Sequence, residues 1–221
     1  MPLSPISLTA YGVFAVVSLI HLYGTYKRNS EIRILTKGLL LPLLMIAYCC
    51  TVKDQDFLVL AALFFCWIGD VLLMKKTATF LTLGGISFFF AHIFLIIIYS
   101  RNIKFNSLPL FIIIPAYLIF LGIAVIVLLK LWNRIPKPLK FTSAGYIFAN
   151  ATMNIFALMQ YVNTFRPAFL IISAGSVLFF ISDLLLYNVR FHGGDSIYKK
   201  HTLEMFTYLA GEALICLGLM L

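Results

Sequence analysis

Two apolar segments each carry a single aspartate: Trp67-Ile68-Gly69-Asp70-Val71-Leu72-Leu73-Met74 and Phe180-Ile181-Ser182-Asp183-Leu184-Leu185-Leu186-Tyr187. In both, the aspartate follows an isoleucine and a small residue, precedes a Leu-Leu pair, and lies a turn or two before a cation. A carboxylate exposed to lipid is costly, so an aspartate in such a segment usually faces the interior of a helix bundle and has a function. The segments therefore predict two membrane helices with inward-facing acids.

The composition agrees with a membrane protein. Of 221 residues, 62% are hydrophobic and 11% are charged, and the mean hydropathy is +1.01, too apolar for a soluble globular domain. Helices of about 20 residues with short turns account for nearly the whole length. We therefore expect one transmembrane domain over residues 1–221. No positively charged segment precedes the first apolar run, so the sequence predicts no signal peptide and an N-terminal run that stays as a span.

Eight apolar runs can be drawn along the chain. They cover residues 7–25, 34–50, 57–74, 79–99, 107–130, 140–162, 167–188 and 202–221. The connections between them are short, which predicts an all-α, up-and-down bundle of eight transmembrane helices. Because the two aspartates fall in the third and seventh runs, the sequence also suggests a direct repeat of helices 1–4 and 5–8.

The net charge of +9 is spread over short turns rather than over one basic face, so nucleic acid is not an expected partner. Thirteen of the seventeen cations lie in the odd-numbered turns: Lys27, Arg28, Arg33, Lys37, Lys75, Lys76, Lys130, Arg134, Lys137, Lys140, Arg190, Lys199 and Lys200. By the positive-inside rule these turns are cytoplasmic and both termini lie outside. Asp70 and Asp183 then share one depth on the cytoplasmic side.

Lys37 and His92 each allow two interpretations. Lys37, at the start of the second run, either extends to the cytoplasmic interface or turns inward toward an anion. His92, deep in the fourth run, is either a hydrogen-bonded core residue or part of a binding site.

Helical spacing places further polar residues on inward faces. Asn150 and Asn154 lie on one face of the sixth run, where they either bridge helices or bind a substrate. On the eighth run Glu204, Tyr208 and Glu212 are spaced by four residues. Glu204 is close enough to the end to be a solvated rim charge, whereas Glu212 lies near mid-membrane and needs a partner.

Cofactor sites are not predicted. The four cysteines have no metal-type spacing, which favours buried structural thiols. The four histidines, at positions 21, 92, 192 and 201, fall at different depths and do not form one ligand set.

The two aspartates either hold the bundle together, for example through Lys37, or form a reactive pair. Two carboxyl groups close together in a low dielectric do not both ionise easily, so one is expected to keep its proton. Such a pair supplies an acid and a base at one site.

These motifs resemble those of the YhhN family of integral membrane proteins, whose animal members include lysoplasmalogenases. The resemblance rests on segments spread over most of the chain: Lys37 to Pro42, Ile68-Gly69-Asp70, Gly84-Gly85 through Ala91-His92, Ile181-Ser182-Asp183 with Arg190-Phe191, and Thr207-Tyr208 with Leu214-Ile215. In many relatives a Gln stands where this chain has Glu212.

The resemblance implies hydrolysis of the vinyl ether bond of a lysoplasmalogen, a lysophospholipid, to a fatty aldehyde and a glycerophospho-headgroup. Asp70 and Asp183 would be catalytic, one as proton donor and the other as stabiliser of the cation, without a metal or cofactor. The substrate-binding candidates are Lys37, for the phosphate, together with Asn150, Asn154, Tyr208, Glu212, His92 and Ser182. Oligomeric state and headgroup preference do not follow from the sequence.

Other classes of function fit parts of the pattern. A proton-coupled transporter also uses buried carboxylates, and a direct repeat suits alternating access. An intramembrane aspartyl protease calls for Gly-x-Gly-Asp, but position 67 is Trp. A metal-dependent lipid amidase needs clustered histidines, and a membrane scaffold needs no reactive pair at all.

Overall fold

A computed structural model describes residues 5–75, 77–191 and 197–221, the side chains of 197–200 excepted. Lys76, His192 and the side chains of Lys199 and Lys200, used in the predictions above, lie outside this part. The described residues form eight α-helices: α1 (Pro5–Tyr26), α2 (Ser30–Thr51), α3 (Phe57–Leu73), α4 (Ala78–Ser100), α5 (Leu110–Leu131), α6 (Lys140–Thr164), α7 (Pro167–Phe191) and α8 (Ile197–Met220). The all-α prediction of eight helices is confirmed.

Six of these helices are long and apolar enough to cross a membrane, namely α1, α2, α4, α5, α7 and the part of α8 from His201. Helix α3 is apolar but has only 17 residues. Helix α6 has 25 residues and a lower hydropathy, because its inward face buries polar side chains such as Asn150, Asn154 and Gln160. The chain is thus an integral, multi-pass membrane protein.

Several helices extend beyond the apolar runs that predict them. Helix α2 begins at Ser30 rather than at residue 34, since the Asn29 side chain accepts hydrogen bonds from the backbone N–H groups of Glu31 and Ile32. A hydropathy run ends where charged residues begin, but a capped helix continues through them. The helix ends therefore carry the charged residues that matter below.

Contacts between helices close a circuit in the order α1, α2, α3, α4, α6, α7, α8 and back to α1. Helix α5 packs against α6 and α7 outside this circuit and buries only Ile113, Ala124 and Leu131. Its remaining apolar surface suits contact with lipid. The direct contact between α4 and α6 was not part of the up-and-down prediction.

Hydrogen bonds and ion pairs at one end of the bundle agree with alternating helix directions. The Tyr48 hydroxyl, near the end of α2, accepts a hydrogen bond from the backbone N–H of Asp56, which precedes α3. Asp56 also forms an ion pair with Arg101, which follows α4. Helices α2 and α4 therefore end where α3 begins. The opposite end contains the starts of α2, α4 and α8 and the ends of α3 and α7. Helices α3 and α7 therefore run in the same direction.

Helices α7 and α8 pack closely together at Gly175 and Gly211. A Cβ atom added to Gly175 would lie 2.8 Å from the Gly211 carbonyl oxygen and 2.8 Å from the Ile215 backbone nitrogen. A Cβ on Gly211 would lie 2.9 Å from the Gly175 carbonyl oxygen. Small residues at helix crossings let backbones approach in this way. The contact fixes α7, and with it Asp183, relative to α8.

Alanine at Gly175 or at Gly211 is therefore expected to lower the free energy of unfolding by about 1–3 kcal/mol, because backbone atoms must move apart. The measurement is unfolding of the detergent-purified protein by titration with sodium dodecyl sulfate. Gly122→Ala on α5 is the matched control, since an added Cβ there meets no atom within 4 Å. Wild-type stability in both inner variants would contradict the close contact.

Candidate functional site

A cavity of about 530 Å³ lies at the end of the bundle where α3 and α7 finish. Asp70 and Asp183 both line it, and their residues are only 2% and 5% exposed. The prediction of two inward-facing carboxyl groups thus agrees with the structure, which places them in one cavity rather than in separate ones.

Asp70 has a charged partner and a neutral one. The Lys37 ammonium lies 3.1 Å from its Oδ1, and the Tyr208 hydroxyl donates a hydrogen bond of 2.8 Å to its Oδ2. The Lys37 side chain therefore turns inward, the second of the two orientations considered above. The ammonium and the hydroxyl donor each stabilise a negative charge on this carboxyl group.

Asp183 has neutral partners. The Asn150 side-chain amide donates a hydrogen bond to its Oδ2, and the hydroxyl of Tyr146 lies beside the same carboxyl group. Asn154 in turn donates to the Asn150 side-chain oxygen at 2.9 Å and to its backbone oxygen at 3.0 Å. Asn150 and Asn154 thus form a chain on α6 that holds the Asp183 carboxyl in position.

The hydrogen bonds described for Asp70 and Asp183 have no partner in common. The surroundings differ in charge, because no ammonium or guanidinium in the described residues forms an ion pair with Asp183. One cavity therefore holds two acids in different electrostatic environments, which is the arrangement that pairs a proton donor with a carboxylate.

Aromatic side chains form the inner wall of the cavity. Phe88 and Phe179 line it, their ring centroids are 6.2 Å apart, and the Tyr208 ring lies 6.2 Å from Phe88 and 5.4 Å from Phe179. Gly69 makes room for this wall, since an added Cβ would lie 2.5 Å from the Phe88 ring. The small residue before Asp70 is thus explained by packing.

The remaining predicted binding residues divide into two groups. Ser182 lines the cavity next to Asp183. His92 and Glu212 are buried and do not line it. The His92 Nδ1 lies 2.6 Å from the Phe88 carbonyl oxygen and its ring packs on Phe179, as expected for a core histidine. The Glu212 Oε1 has no hydrogen-bond partner among the described residues.

Four ionisable residues of the cavity wall were not predicted as site residues: Arg33, Arg190, His201 and Glu204. The Arg33 Nη2 lies 2.6 Å from the His201 Nε2, and the His201 Nδ1 contacts the Glu204 carboxylate. Arg33 lies four residues before Lys37, so helical spacing places both on one face. That spacing was the available signal, but the positive-inside rule already accounted for Arg33 and Arg190, and Glu204 was interpreted as a solvated rim charge.

Metal ligands do not cluster in this site. Within residues 5–75, 77–191 and 201–221, no group of three His, Cys, Asp or Glu side chains has an arrangement that could hold a metal ion. Whether the chemistry proceeds without a metal stays a prediction.

Fold and cavity together define a class of protein: an integral membrane protein of the helical-bundle type, with two aspartates in one cavity between its helices. The model of the YhhN family matches residues 32–219, from the first turn of α2 to the last turn of α8, and the chain belongs to the YhhN family. The resemblance noted from the sequence is thus confirmed. No curated protein and no solved structure matches the chain.

The Lys37–Asp70 pair is expected to contribute more to stability than an exposed ion pair. Lys37→Met leaves the Asp70 carboxylate buried without its counter-charge, and Asp70→Asn on that background should restore part of the loss. We expect a coupling energy above about 1 kcal/mol from the double-mutant cycle measured by detergent unfolding.

The matched control is the Arg101–Asp56 pair, whose side chains are 51% and 30% exposed. The cycle of Arg101→Gln and Asp56→Asn should give a coupling energy below about 1 kcal/mol, because water screens the pair. Equal coupling energies in the two cycles would contradict the inward orientation of Lys37.

Proposed function

We propose that the protein is a membrane-embedded hydrolase that cleaves the vinyl ether bond of a lysoplasmalogen. The products would be a fatty aldehyde and a glycerophospho-headgroup such as glycerophosphoethanolamine or glycerophosphocholine. The observation that carries this proposal is the pair of aspartates, Asp70 and Asp183, in one cavity with different partners. Membership in the YhhN family, whose animal members include lysoplasmalogenases, supports the choice of substrate.

The contacts favour Asp183 as the proton donor and Asp70 as the carboxylate. Lys37 supplies a positive charge to Asp70, which favours its ionised form. The partners of Asp183 are the neutral Asn150 and Tyr146, so its carboxyl group needs no counter-charge when it holds a proton. Lys37 would then serve Asp70 rather than the substrate phosphate.

The reaction can be written with all protons accounted for. Asp183 protonates the β-carbon of the vinyl ether, which leaves an oxocarbenium ion that the Asp70 carboxylate stabilises. Water attacks the cationic carbon and gives a proton to Asp70, which produces a hemiacetal. The hemiacetal hydroxyl returns a proton to Asp183 as the carbon–oxygen bond breaks, and Asp70 protonates the departing glycerol oxygen. Both carboxyl groups end in their starting states.

Other residues would orient the substrate and the acids. Asn150 and Asn154 would act as positioning residues for Asp183, whereas Ser182 and Tyr208, on the cavity wall, would contact the glycerol. The alkenyl chain would pass toward an adjoining crevice of about 50 Å³ between α3, α4, α6 and α7. Its apolar walls include Leu81, Gly85 and Leu139. His92 and Glu212 lie behind the wall and would act only indirectly.

The open end of the cavity would face the cytoplasm, with both termini outside. This orientation rests on the thirteen cations that the sequence places in the odd-numbered turns; among them Arg33, Lys37 and Arg190 line the cavity. A lysophospholipid in the cytoplasmic leaflet would then reach the aspartates with its headgroup at the mouth and its chain between helices.

Asp70→Asn and Asp183→Asn are each expected to reduce aldehyde release from lysoplasmalogen by at least about a hundredfold, because each removes one side of the acid–base pair. Purified protein in detergent, incubated with the lipid and assayed for aldehyde, gives the measurement. Asp54→Asn, at an exposed position at the far end of the bundle, is the control and should leave the rate unchanged.

Full activity in either Asp70→Asn or Asp183→Asn would refute the carboxylate-pair mechanism. Solute flux in proteoliposomes without any lipid turnover would favour the transporter instead. Both assays use the same protein preparation, so activity in one assay shows that a negative result in the other is not due to inactive protein.

A further inference from the structure

The mouth of the cavity carries more positive charge than its ion pairs neutralise. Besides Lys37, two guanidinium groups line the wall, Arg33 from the first turn of α2 and Arg190 from the last turn of α7. The ion pairs of the described side chains within 4.0 Å join Lys37 to Asp70, Arg101 to Asp56 and His201 to Glu204. Neither Arg33 nor Arg190 is part of any of them.

The Arg33 donors are only partly used. Its Nη2 lies 2.6 Å from the His201 Nε2, while its Nε is buried and has no hydrogen-bond partner among the described residues. A buried N–H group without a partner is costly. The edge of a guanidinium that includes Nε–H is also the edge that binds two oxygens of a phosphate or carboxylate at once. Arg33 thus has an unused donor of the type that a bound anion would accept from.

His201 and the backbone of Leu73 hold Arg33 and Arg190, respectively, in place. His201 contacts the Glu204 carboxylate through Nδ1, which leaves Nε2 to accept from Arg33. The Arg190 Nη2 donates a hydrogen bond of 2.8 Å to the carbonyl oxygen of Leu73, the last residue of α3. Among the described residues, each guanidinium thus has one N–H group hydrogen-bonded to the protein, and its other donors are available to a ligand.

The charged groups lie at two depths in the cavity, as the phosphate and the ether linkage do in a lysophospholipid. Asp70 and Asp183 lie further along their helices from the mouth than Arg33 and Arg190 do, since Arg190 is seven residues, about 10 Å of helix, beyond Asp183. A phosphodiester in a lysophospholipid is separated from the ether oxygen by the glycerol backbone, which spans several bonds. A lipid with its phosphate at the mouth would thus place its ether linkage deeper in the cavity, on the side of the two acids.

We infer that Arg33 and Arg190 form the binding site for the phosphodiester of the substrate headgroup, with His201 as a positioning residue for Arg33. The inference rests on the proposed function for the identity of the lipid, and it assigns the phosphate to residues other than Lys37. The chemistry shared by candidate ligands is a singly or doubly charged phosphate, which could come from a lipid headgroup or from free phosphate.

The test is direct binding to the full-length protein in detergent, independent of turnover. The probes are a 1-O-alkyl lysophosphatidylcholine, which has no vinyl double bond to cleave, the 1-O-alkyl glycerol of the same chain length, and inorganic phosphate. We expect Arg33→Gln and Arg190→Gln each to weaken binding of the lysophospholipid by about tenfold and to leave the affinity for the alkyl glycerol unchanged. Arg166→Gln, at an exposed position at the other end of the bundle, is the control and should bind as wild type.

Arg33→Lys and Arg190→Lys guard against loss of folding in the glutamine variants. They keep the positive charge but lose the bidentate edge, and we expect intermediate affinities. Unchanged affinity for the lysophospholipid in all four arginine variants would overturn the inference, as would an equal loss for the alkyl glycerol. Inorganic phosphate that competes as well as the lysophospholipid does would overturn the assignment to a lipid headgroup.

The outcomes separate this inference from the proposed reaction. Arginine-dependent binding without aldehyde release from lysoplasmalogen would leave the phosphate site standing and refute the hydrolysis. Aldehyde release with a wild-type KM in Arg33→Gln and Arg190→Gln would do the reverse.

Discussion

The cost of a carboxyl group inside a membrane is the constraint on which the rest of this structure depends. Asp70 and Asp183 are almost completely buried, and each is tolerated because polar groups from other helices reach it: Lys37 and Tyr208 from α2 and α8, and Asn150 from α6. These contacts tie three helices, α2, α6 and α8, to the two that carry the acids. The two acids that we propose to be reactive are thus also the points at which these helices are joined.

Much of this arrangement was predictable from the sequence, since hydropathy defines the helices and Asp70 and Asp183 both follow an isoleucine and a small residue and precede a Leu-Leu pair. Spacing on α6 and α8 also identified Asn150 and Tyr208. The partners of each acid were not predictable. The sequence allows Lys37 to extend to the interface or to turn inward, and only the packing of α2 against α3 in the folded protein selects the inward orientation. The contact between α4 and α6 likewise depends on helix order, which periodicity does not encode.

The residues at the cavity mouth show why charged ends of membrane helices are easily misassigned. Arg33, Arg190 and His201 are residue types expected of topology signals and interfacial anchors. The positive-inside rule accounts for cations at these positions without any binding site. Their place on the cavity wall follows only from the extension of α2, α7 and α8 beyond the apolar runs. A cation that orients a helix in the membrane can also bind an anion, provided that the helix end faces a cavity.

The isotope content of the aldehyde released from lysoplasmalogen in D₂O is the most direct measurement of the central claim, which is acid catalysis by a carboxyl pair on a vinyl ether. Protonation of the β-carbon predicts one deuterium at the carbon next to the aldehyde group, detected by mass spectrometry after immediate reduction to the alcohol. Aldehyde without this deuterium would contradict the account, as would a folded preparation that releases no aldehyde.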